Sequence, residues 1–322
     1  MTKHLVSVVI PAYNAARTLK STVQSVFEQN TQDFEIIIVD DGSKDNTIAV
    51  AESIEDSRVK IITQANGGAS AARNTGIKAA EGKYVAMLDA DDLWMPHKLE
   101  RQLAVLNSEK DVSAVQSGVY FVDNDLEVIS VRPCFRSKDA LLDTLLFQNL
   151  PGLMSTLIVE RAAFEKIGYL DTKLVILEDW ELAIRLSRYC NFKSIEEPLA
   201  LYRQFPGNRS KDLSIHIEPG FIILERLFND PTLPPHIRTR KKLIYSTFYR
   251  MLCGGAFKVG RYGESLKWGT KAFLTHPAAL NYMASLPLRK LQRNFSRQNV
   301  PPEYKSAVRK FLKYRNEHNP DF

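Results

Sequence analysis

Apolar residues in the first ninety positions fall in short dense runs, separated by polar stretches with helical spacing. Residues 5–10, 34–39, 59–63 and 84–88 are rich in β-branched side chains and have the length of buried strands. Between the first two, Leu19, Val23, Val26 and Phe27 repeat at i, i+4, i+7 and i+8. That pattern predicts an amphipathic helix, with Asn14 as its N-cap. Asp40-Asp41-Gly42-Ser43 closes the second run and opens a helix to about residue 53. Asn66-Gly67-Gly68 turns the chain into a helix over 69–80, which Gly82 ends. The order β-α-β-α-β-α-β with short connections predicts an α/β fold, a mostly parallel sheet flanked by helices.

Further along, the pattern predicts a helix over 97–107 and strands over 114–122 and 126–131, with a hairpin across Asp123-Asn124-Asp125. A helix over 140–148, a strand over 153–159 and a helix over 161–167 stopped by Gly168 follow. Glu178-Asp179-Trp180 opens a helix to about 189, and 193–195 and 199–202 read as short strands. Pro206-Gly207-Asn208 marks a boundary, after which the pattern is helical and broken by prolines. The expected organisation is two halves of one α/β domain, 1–105 and 106–207, and a C-terminal helical region, 208–322.

Ligands of such sheets sit at the carboxyl ends of the strands. Three of the first four strand ends carry unusual residues: Tyr13, Asp40-Asp41 and Asp89-Ala90-Asp91-Asp92. Aspartates are poor strand formers and costly to bury unpaired. A hard divalent cation with phosphate oxygens accounts for them, since Mg²⁺ takes one or two carboxylates beside substrate phosphates. If the segment is extended, Asp89 and Asp91 address the same ligand. The bland reading makes these aspartates turn and cap residues; Asp92 fits that role best.

Charge changes the picture for the tail. The 322 residues carry a net +6, but unevenly. Residues 1–205 hold 22 Lys+Arg against 29 Asp+Glu, a balance of −7, and residues 206–322 hold 21 against 8, a balance of +13. A basic tail suits an anionic partner. Three uses are open to it: solubility, an anionic lipid surface reached by Arg238, Arg240, Lys241, Lys242, Arg289, Lys290, Arg293 and Arg297, or self-association as a homodimer. Apolar support for lipid contact would come from Ile222, Leu224, Leu227 and Phe228, or from residues 278–291. Nucleic acid is a poor partner, because the body is acidic and carries no binding motif. Cys134, Cys190 and Cys253 match neither a disulfide framework nor a zinc spacing, which suits a reducing cytosol. No secretion signal opens the chain, and no apolar stretch has the length of a membrane span.

Five segments in register resemble the family 2 glycosyltransferases over roughly residues 5–205: Val6-Ser7-Val8-Val9-Ile10-Pro11-Ala12-Tyr13-Asn14, Val39-Asp40-Asp41-Gly42-Ser43, Ala71-Ala72-Arg73-Asn74, Leu88-Asp89-Ala90-Asp91-Asp92 and Glu178-Asp179. The resemblance implies a GT-A fold and inverting transfer of a sugar from a nucleotide-diphosphate donor, usually with Mn²⁺ or Mg²⁺. It implies that Pro11, Ala12 and Tyr13 line the base and ribose pocket. Asp41 would bond the base, most often uracil, and Arg73 would sit beside the base or diphosphate. Ala90 lies between Asp89, which would reach the ribose or a metal-bound water, and Asp91, the metal ligand. Asp179, preceded by Glu178, would be the catalytic base, kept ionised by its place at a helix start.

The sequence departs from the family at Tyr202-Arg203-Gln204-Phe205, where many relatives have a histidine at the position of Phe205. Water or Arg209 would then complete the site. The Gln-x-x-Arg-Trp motif of processive synthases is absent, which favours transfer of a single sugar. The implied acceptor is a glycan or lipid-linked saccharide of bacterial surface polysaccharide synthesis, at the cytoplasmic membrane face. The alternative is a nucleotide-sugar-binding protein without catalysis.

Overall fold

The computed structural model describes residues 4–109, 111–134, 142, 145, 146, 154–205, 214–286 and 300–318. The chain divides into two compact units. One comprises Met1–Asp139, Gly152–Pro206 and Val300–Phe322; the other comprises Ala140–Pro151 and Gly207–Asn299.

The first unit is built on one nine-stranded sheet. Strands β1 (Val6–Ala12), β2 (Phe34–Asp40), β3 (Val59–Thr63) and β4 (Tyr84–Met87) pair in parallel in the order β3-β2-β1-β4. Every residue of β2 and β4 is buried, as in parallel strands covered on both faces. Helices α1 (Leu19–Phe27), α2 (Thr47–Glu52) and α3 (Ala69–Ala79) make the crossovers. Gly76 of α3 rides directly on β1, where a Cβ would lie 2.3 Å from Val9 Cγ1. No larger residue permits that approach.

The sheet continues through β8 (Leu157–Glu160), β6 (Val112–Val122), β9 (Asn191–Arg203) and the short β5 (Leu93–Trp94), with β7 (Val128–Arg132) paired to β6. β8 runs antiparallel to both β4 and β6, so the complete sheet is mixed, although β6 and β9 again pair in parallel. The strands expected at 193–195 and 199–202 are one strand, β9, whose register to β6 shifts around Gly118. Helix α4 (Lys98–Ser108) packs Leu99, Leu103 and Leu106 into the main core. α5 (Arg161–Ile167) and α6 (Glu178–Tyr189) begin and end where the pattern places them. The helix predicted over 140–148 lies, apart from residues 142, 145 and 146, outside the described residues.

The second unit contains α7 (Ser214–Asn229), α8 (Pro235–Arg238) and the helical pair α9 (Lys241–Lys258) and α10 (Tyr262–Thr275). Phe221, Phe228, Tyr245, Phe248, Tyr249 and Trp268 form its aromatic centre. The α9–α10 pair is tied at both ends. Ser246 Oγ donates to the Ala272 carbonyl at 2.9 Å and Ser265 Oγ to the Cys253 carbonyl at 3.0 Å.

Two expectations for the tail change here. Leu224, Leu227 and Phe228 are buried, so α7 turns its apolar face inward and does not offer it to lipid. Helix α11 (Pro302–His318) does not group with the tail. Val308 and Phe311 join Leu93, Tyr120 and Leu201 in a core cluster of the first unit. Arg315 Nη2 donates to the Ser21 carbonyl at 2.7 Å. No helix among the described residues is long and apolar enough to cross a membrane.

Candidate active site

The first unit brings the carboxyl ends of β2, β1 and β4 side by side. Ala12 pairs with Asp40, the Asp41 amide donates to the Ala12 carbonyl at 2.8 Å, and the Leu88 amide donates to the Val9 carbonyl at 3.0 Å. Pro11 and Ala12 are therefore neighbours of Asp40-Asp41, and Tyr13 projects from the rim, 50% exposed.

Around β1 and β2 the polar groups build loops. Asp40 Oδ2 accepts from the Gly42 and Ser43 amides, both at 3.2 Å. Asp41 Oδ1 accepts from Gln64 Nε2 at 2.8 Å and the Gly67 amide at 2.9 Å, and its Oδ2 from the Gly68 amide at 2.8 Å. The residue implied as the base contact thus also holds the loop that leads into α3. Asn14 does not cap α1, which starts at Leu19 after Thr18. It adopts left-handed backbone (φ 51°), and its Oδ1 accepts from the Lys44 amide at 2.8 Å.

Around β4 and α6 the carboxylates face one another. Arg73, on the second turn of α3, is 4% exposed. It spans two elements: Nη2 donates to Asp89 Oδ1 at 2.6 Å and Nη1 to Glu178 Oε1 at 2.9 Å. Burial works against its charge, but Asp89 and Glu178 outweigh this and raise its pKa. It is not the solvated arginine of a generic helix. Leu177, ahead of Glu178, is left-handed at φ 65°, uncommon for a bulky residue.

Asp89 and Asp91 lie in a turn, closed by the Asp92 amide on the Asp89 carbonyl at 3.0 Å, so the condition of an extended segment is not met. They still share one field. Burial first, and the Asp89 charge second, raise Asp91 to about 6. Among the described residues no side chain donates a hydrogen bond to Asp91. Asp92 is fully buried and structural, as its position suggested. Its Oδ2 accepts from Ser155 Oγ at 2.5 Å and its Oδ1 from the Arg203 amide at 3.0 Å. Burial, then the Asp91 and Asp89 charges, raise it well above the usual range.

Asp179 departs from its expectation. Burial first, and Glu178 beside it second, raise it to about 7, outweighing the helix start that was to keep it ionised. Its Oδ1 accepts from the Trp180 amide at 2.7 Å.

Several residues that shape the site carry no local signal. Ser155 accepts the Asp89 amide at 3.1 Å as well as bonding Asp92, and its carbonyl accepts Trp94 Nε1 at 2.7 Å. Thr22 Oγ1 donates to the Ala90 and Asp92 carbonyls, both at 2.9 Å. Lys98 is fully buried beneath this network, its Nζ 3.9 Å from the Trp94 ring centre and 2.6 Å from Gln102 Oε1. Each of these contacts except the last two joins segments more than sixty residues apart in sequence.

Asp91 fits a divalent cation: an acid with no side-chain donor among the described residues, desolvated and repelled by a neighbouring carboxylate, is what a metal relieves. Asp89 fits less directly, because Arg73 holds one of its oxygens. Among the described residues no group of three or more His, Cys, Asp or Glu could hold a metal. Phe205 is half-buried just after β9. Arg209 lies outside the described residues.

An α/β sheet with a strand-end acidic cluster, followed by helices, is the architecture of a GT-A glycosyltransferase. The family model for Glycosyl transferase family 2 matches residues 7–168, and the chain belongs to that family. An uncharacterized glycosyltransferase (RP339) of Rickettsia prowazekii strain Madrid E is 36% identical over 189 residues, which are 57% of this chain and 59% of that protein. The match thus spans about three-fifths of that relative. The Escherichia coli protein WfgD, a UDP-Glc:alpha-D-GlcNAc-diphosphoundecaprenol beta-1,3-glucosyltransferase, is 29% identical over 199 residues, 61% of this chain and 74% of its own length. Residues 1–349 of S. aureus TarS, in complex with UDP-GlcNAc, share the fold with a TM-score of 0.65 and 17% identity, over 96% of this chain and 92% of that one.

Proposed function

We propose that this chain transfers one sugar, with inversion, from a nucleotide-diphosphate sugar to a saccharide acceptor. The observation that carries the reading is the Arg73 bridge. One buried guanidinium joins Asp89 at the end of β4 to Glu178 at the start of α6, and so fixes the Asp91 and Asp179 segments on either side of it. In this reading the Asp91 side receives the donor diphosphate and Asp179 faces the acceptor hydroxyl.

The acceptor oxygen attacks C1 of the sugar as the C1–O bond to the diphosphate breaks. The hydroxyl proton goes to Asp179, and the nucleoside diphosphate leaves. A carboxylate near pKa 7 is well matched to this at neutral pH, being half ionised and still basic enough to take a proton. Arg73 keeps Glu178 and Asp89 neutralised and fixed while this happens. Asp91, with Asp89 beside it, would hold a Mn²⁺ or Mg²⁺, which when bound would supply Lewis-acid charge at the leaving diphosphate. Pro11, Ala12, Tyr13 and Asp41 flank the nucleoside.

UDP is the favoured nucleotide, because WfgD is named for UDP-Glc and TarS was solved with UDP-GlcNAc. A lipid-linked saccharide is the favoured acceptor, by analogy with the diphosphoundecaprenol acceptor in the WfgD name. In this reading the protein works at the cytoplasmic face of a membrane during surface polysaccharide assembly.

The test is nucleotide release. With Mn²⁺ and a panel of UDP- and GDP-sugars, at least one donor is expected to yield free nucleoside diphosphate, and Asp91→Ala to abolish the yield. A protein whose melting temperature rises with a donor, yet releases no nucleotide from any of them with or without acceptors, is a binder and not a transferase.

A further inference from the structure

The second unit carries 16 Lys+Arg against 6 Asp+Glu over residues 140–151 and 207–299, a balance of +10. Its helix α10 is amphipathic in an inverted sense. Ser265, Trp268, Gly269 and Ala272 turn inward, toward α9. Outward stand Tyr262, Leu266, Phe273 and Leu274, of which Leu266 is 65% and Leu274 76% exposed. At about 100° per residue these four span roughly 120° of the helix surface. The other two positions in that arc are Gly263 and Thr270, so no charge interrupts it.

Cations border this strip. Lys267 and Lys271 lie along one edge, their Nζ atoms 5.5 and 5.0 Å from the Trp268 ring centre. Lys258 and Arg261 lie at the N-terminal end, and the one acid on α10, Glu264, sits 3.8 Å from Arg261. Exposed Val259 and Leu280 extend the apolar surface before and after the helix. We infer that the outward face of α10 is a membrane-interface helix that seats the protein on an anionic phospholipid surface.

Large apolar side chains on a helix face edged by lysines are the composition of a helix lying in the headgroup boundary. Lysine stems reach apolar surface while their ammonium heads meet lipid phosphates. Charge decides between occupants. A second copy of the chain would press one unit of balance +10 against another. An anionic bilayer complements the same charge. The inference deepens the proposed function, which takes a lipid-anchored acceptor, but is measured without turnover.

The full chain is floated with vesicles of equal parts phosphatidylcholine and phosphatidylglycerol, and with phosphatidylcholine alone. Binding is expected on the anionic vesicles, weakened by salt, and little on the neutral ones. The double substitution Leu266→Ser/Leu274→Ser changes only exposed positions, and a melting curve checks that the fold is kept. It is expected to lower partitioning about tenfold. Lys267→Ala/Lys271→Ala is expected to lower it by a similar factor and to flatten the salt dependence.

Wild-type protein that stays off anionic vesicles overturns the inference, as does undiminished binding by the serine variant. A serine variant that floats normally while a dimer becomes a monomer in sedimentation assigns the face to self-association instead. Vesicle-free nucleotide release is read in parallel and is expected to be unchanged by either double substitution. Its absence in the wild type, with vesicle binding intact, defeats the transferase reading alone.

Discussion

Two acidic regions share the rim of one sheet, and they are built on opposite terms. At Asp40-Asp41 the carboxylates accept hydrogen bonds from the backbone of Gly42, Ser43, Gly67 and Gly68 and from Gln64. At Asp91 and Asp179 burial and neighbouring carboxylates raise the pKa to about 6 and about 7. In the first region protein donors engage both oxygens of Asp41 and one of Asp40, whose Oδ1 alone is buried without a partner among the described residues. The second holds acids in surroundings that disfavour their charge, the mark of a candidate functional site. Residue type therefore does not separate loop builder from reactive group; the donors around each carboxylate do.

The sharpest way to break this comparison is Asp179→Asn. The amide oxygen can still accept the Trp180 amide, so the helix start survives. Removing a general base is expected to slow turnover by about 10²–10⁴-fold while leaving donor binding in place. Stability should move the other way. A carboxyl whose folded pKa is about 7, against an ordinary 3.8, binds protons more tightly when folded. Its contribution to stability is present below 3.8 and is lost as pH rises through about 7. Above neutrality the substitution should therefore raise the melting temperature, by an amount on the order of a few kcal/mol in stability. In the wild type, kcat/KM should fall on the acid side of about pH 7 as the base protonates. A variant that turns over normally, or that melts earlier at pH 8, removes Asp179 from the reactive region.

Asp41→Ala probes the other side. It strips acceptors from the Gly67 and Gly68 amides and from Gln64, all around a buried carboxylate. Buried donors left unsatisfied cost about 1–3 kcal/mol each when water cannot reach them. A destabilisation of about 2–4 kcal/mol is expected in denaturant melts. Asp91→Ala in the same assay should be neutral or stabilising, since it removes a desolvated charge. Equal losses in the two variants would erase the distinction.

The contrast explains which parts of the molecule were legible in sequence. The runs that became β1 to β4 announce themselves because each is buried on both faces, and the start of α6 at Glu178 follows from local pattern. The partners of the acids do not. Nothing near Asp92 points to Ser155, 63 residues away, and nothing near Arg73 points to Glu178, 105 residues away. Asp179 was expected to be ionised because a helix start is visible in sequence, whereas the burial that overrides it is set by tertiary packing. Phe205 was legible as a departure from the family's pattern, but which group stands in for the histidine is not a local property of the sequence. The return of residues 302–318 to the first unit was hidden for the opposite reason: α11 is strongly polar overall, and only a few residues, Val308 and Phe311 among them, carry its packing.

The smallest expected effect tests whether the satisfied region is a set of independent local bonds. Asn14 contributes two separable things, a left-handed backbone at φ 51° and an acceptor for the Lys44 amide. Asn14→Ala loses both and should cost about 1 kcal/mol, part from forcing a Cβ into that conformation and part from the missing bond. Asn14→Gly keeps the conformation and loses only the bond, which is exposed, so about 0.5 kcal/mol is expected. The order wild type, glycine, alanine in urea midpoints would mark the β1–β2 loops as additive parts. If glycine were instead as damaging as alanine, the Asn14–Lys44 bond would dominate. The loops of the satisfied region would then depend on side-chain acceptors as strictly as Asp41 does.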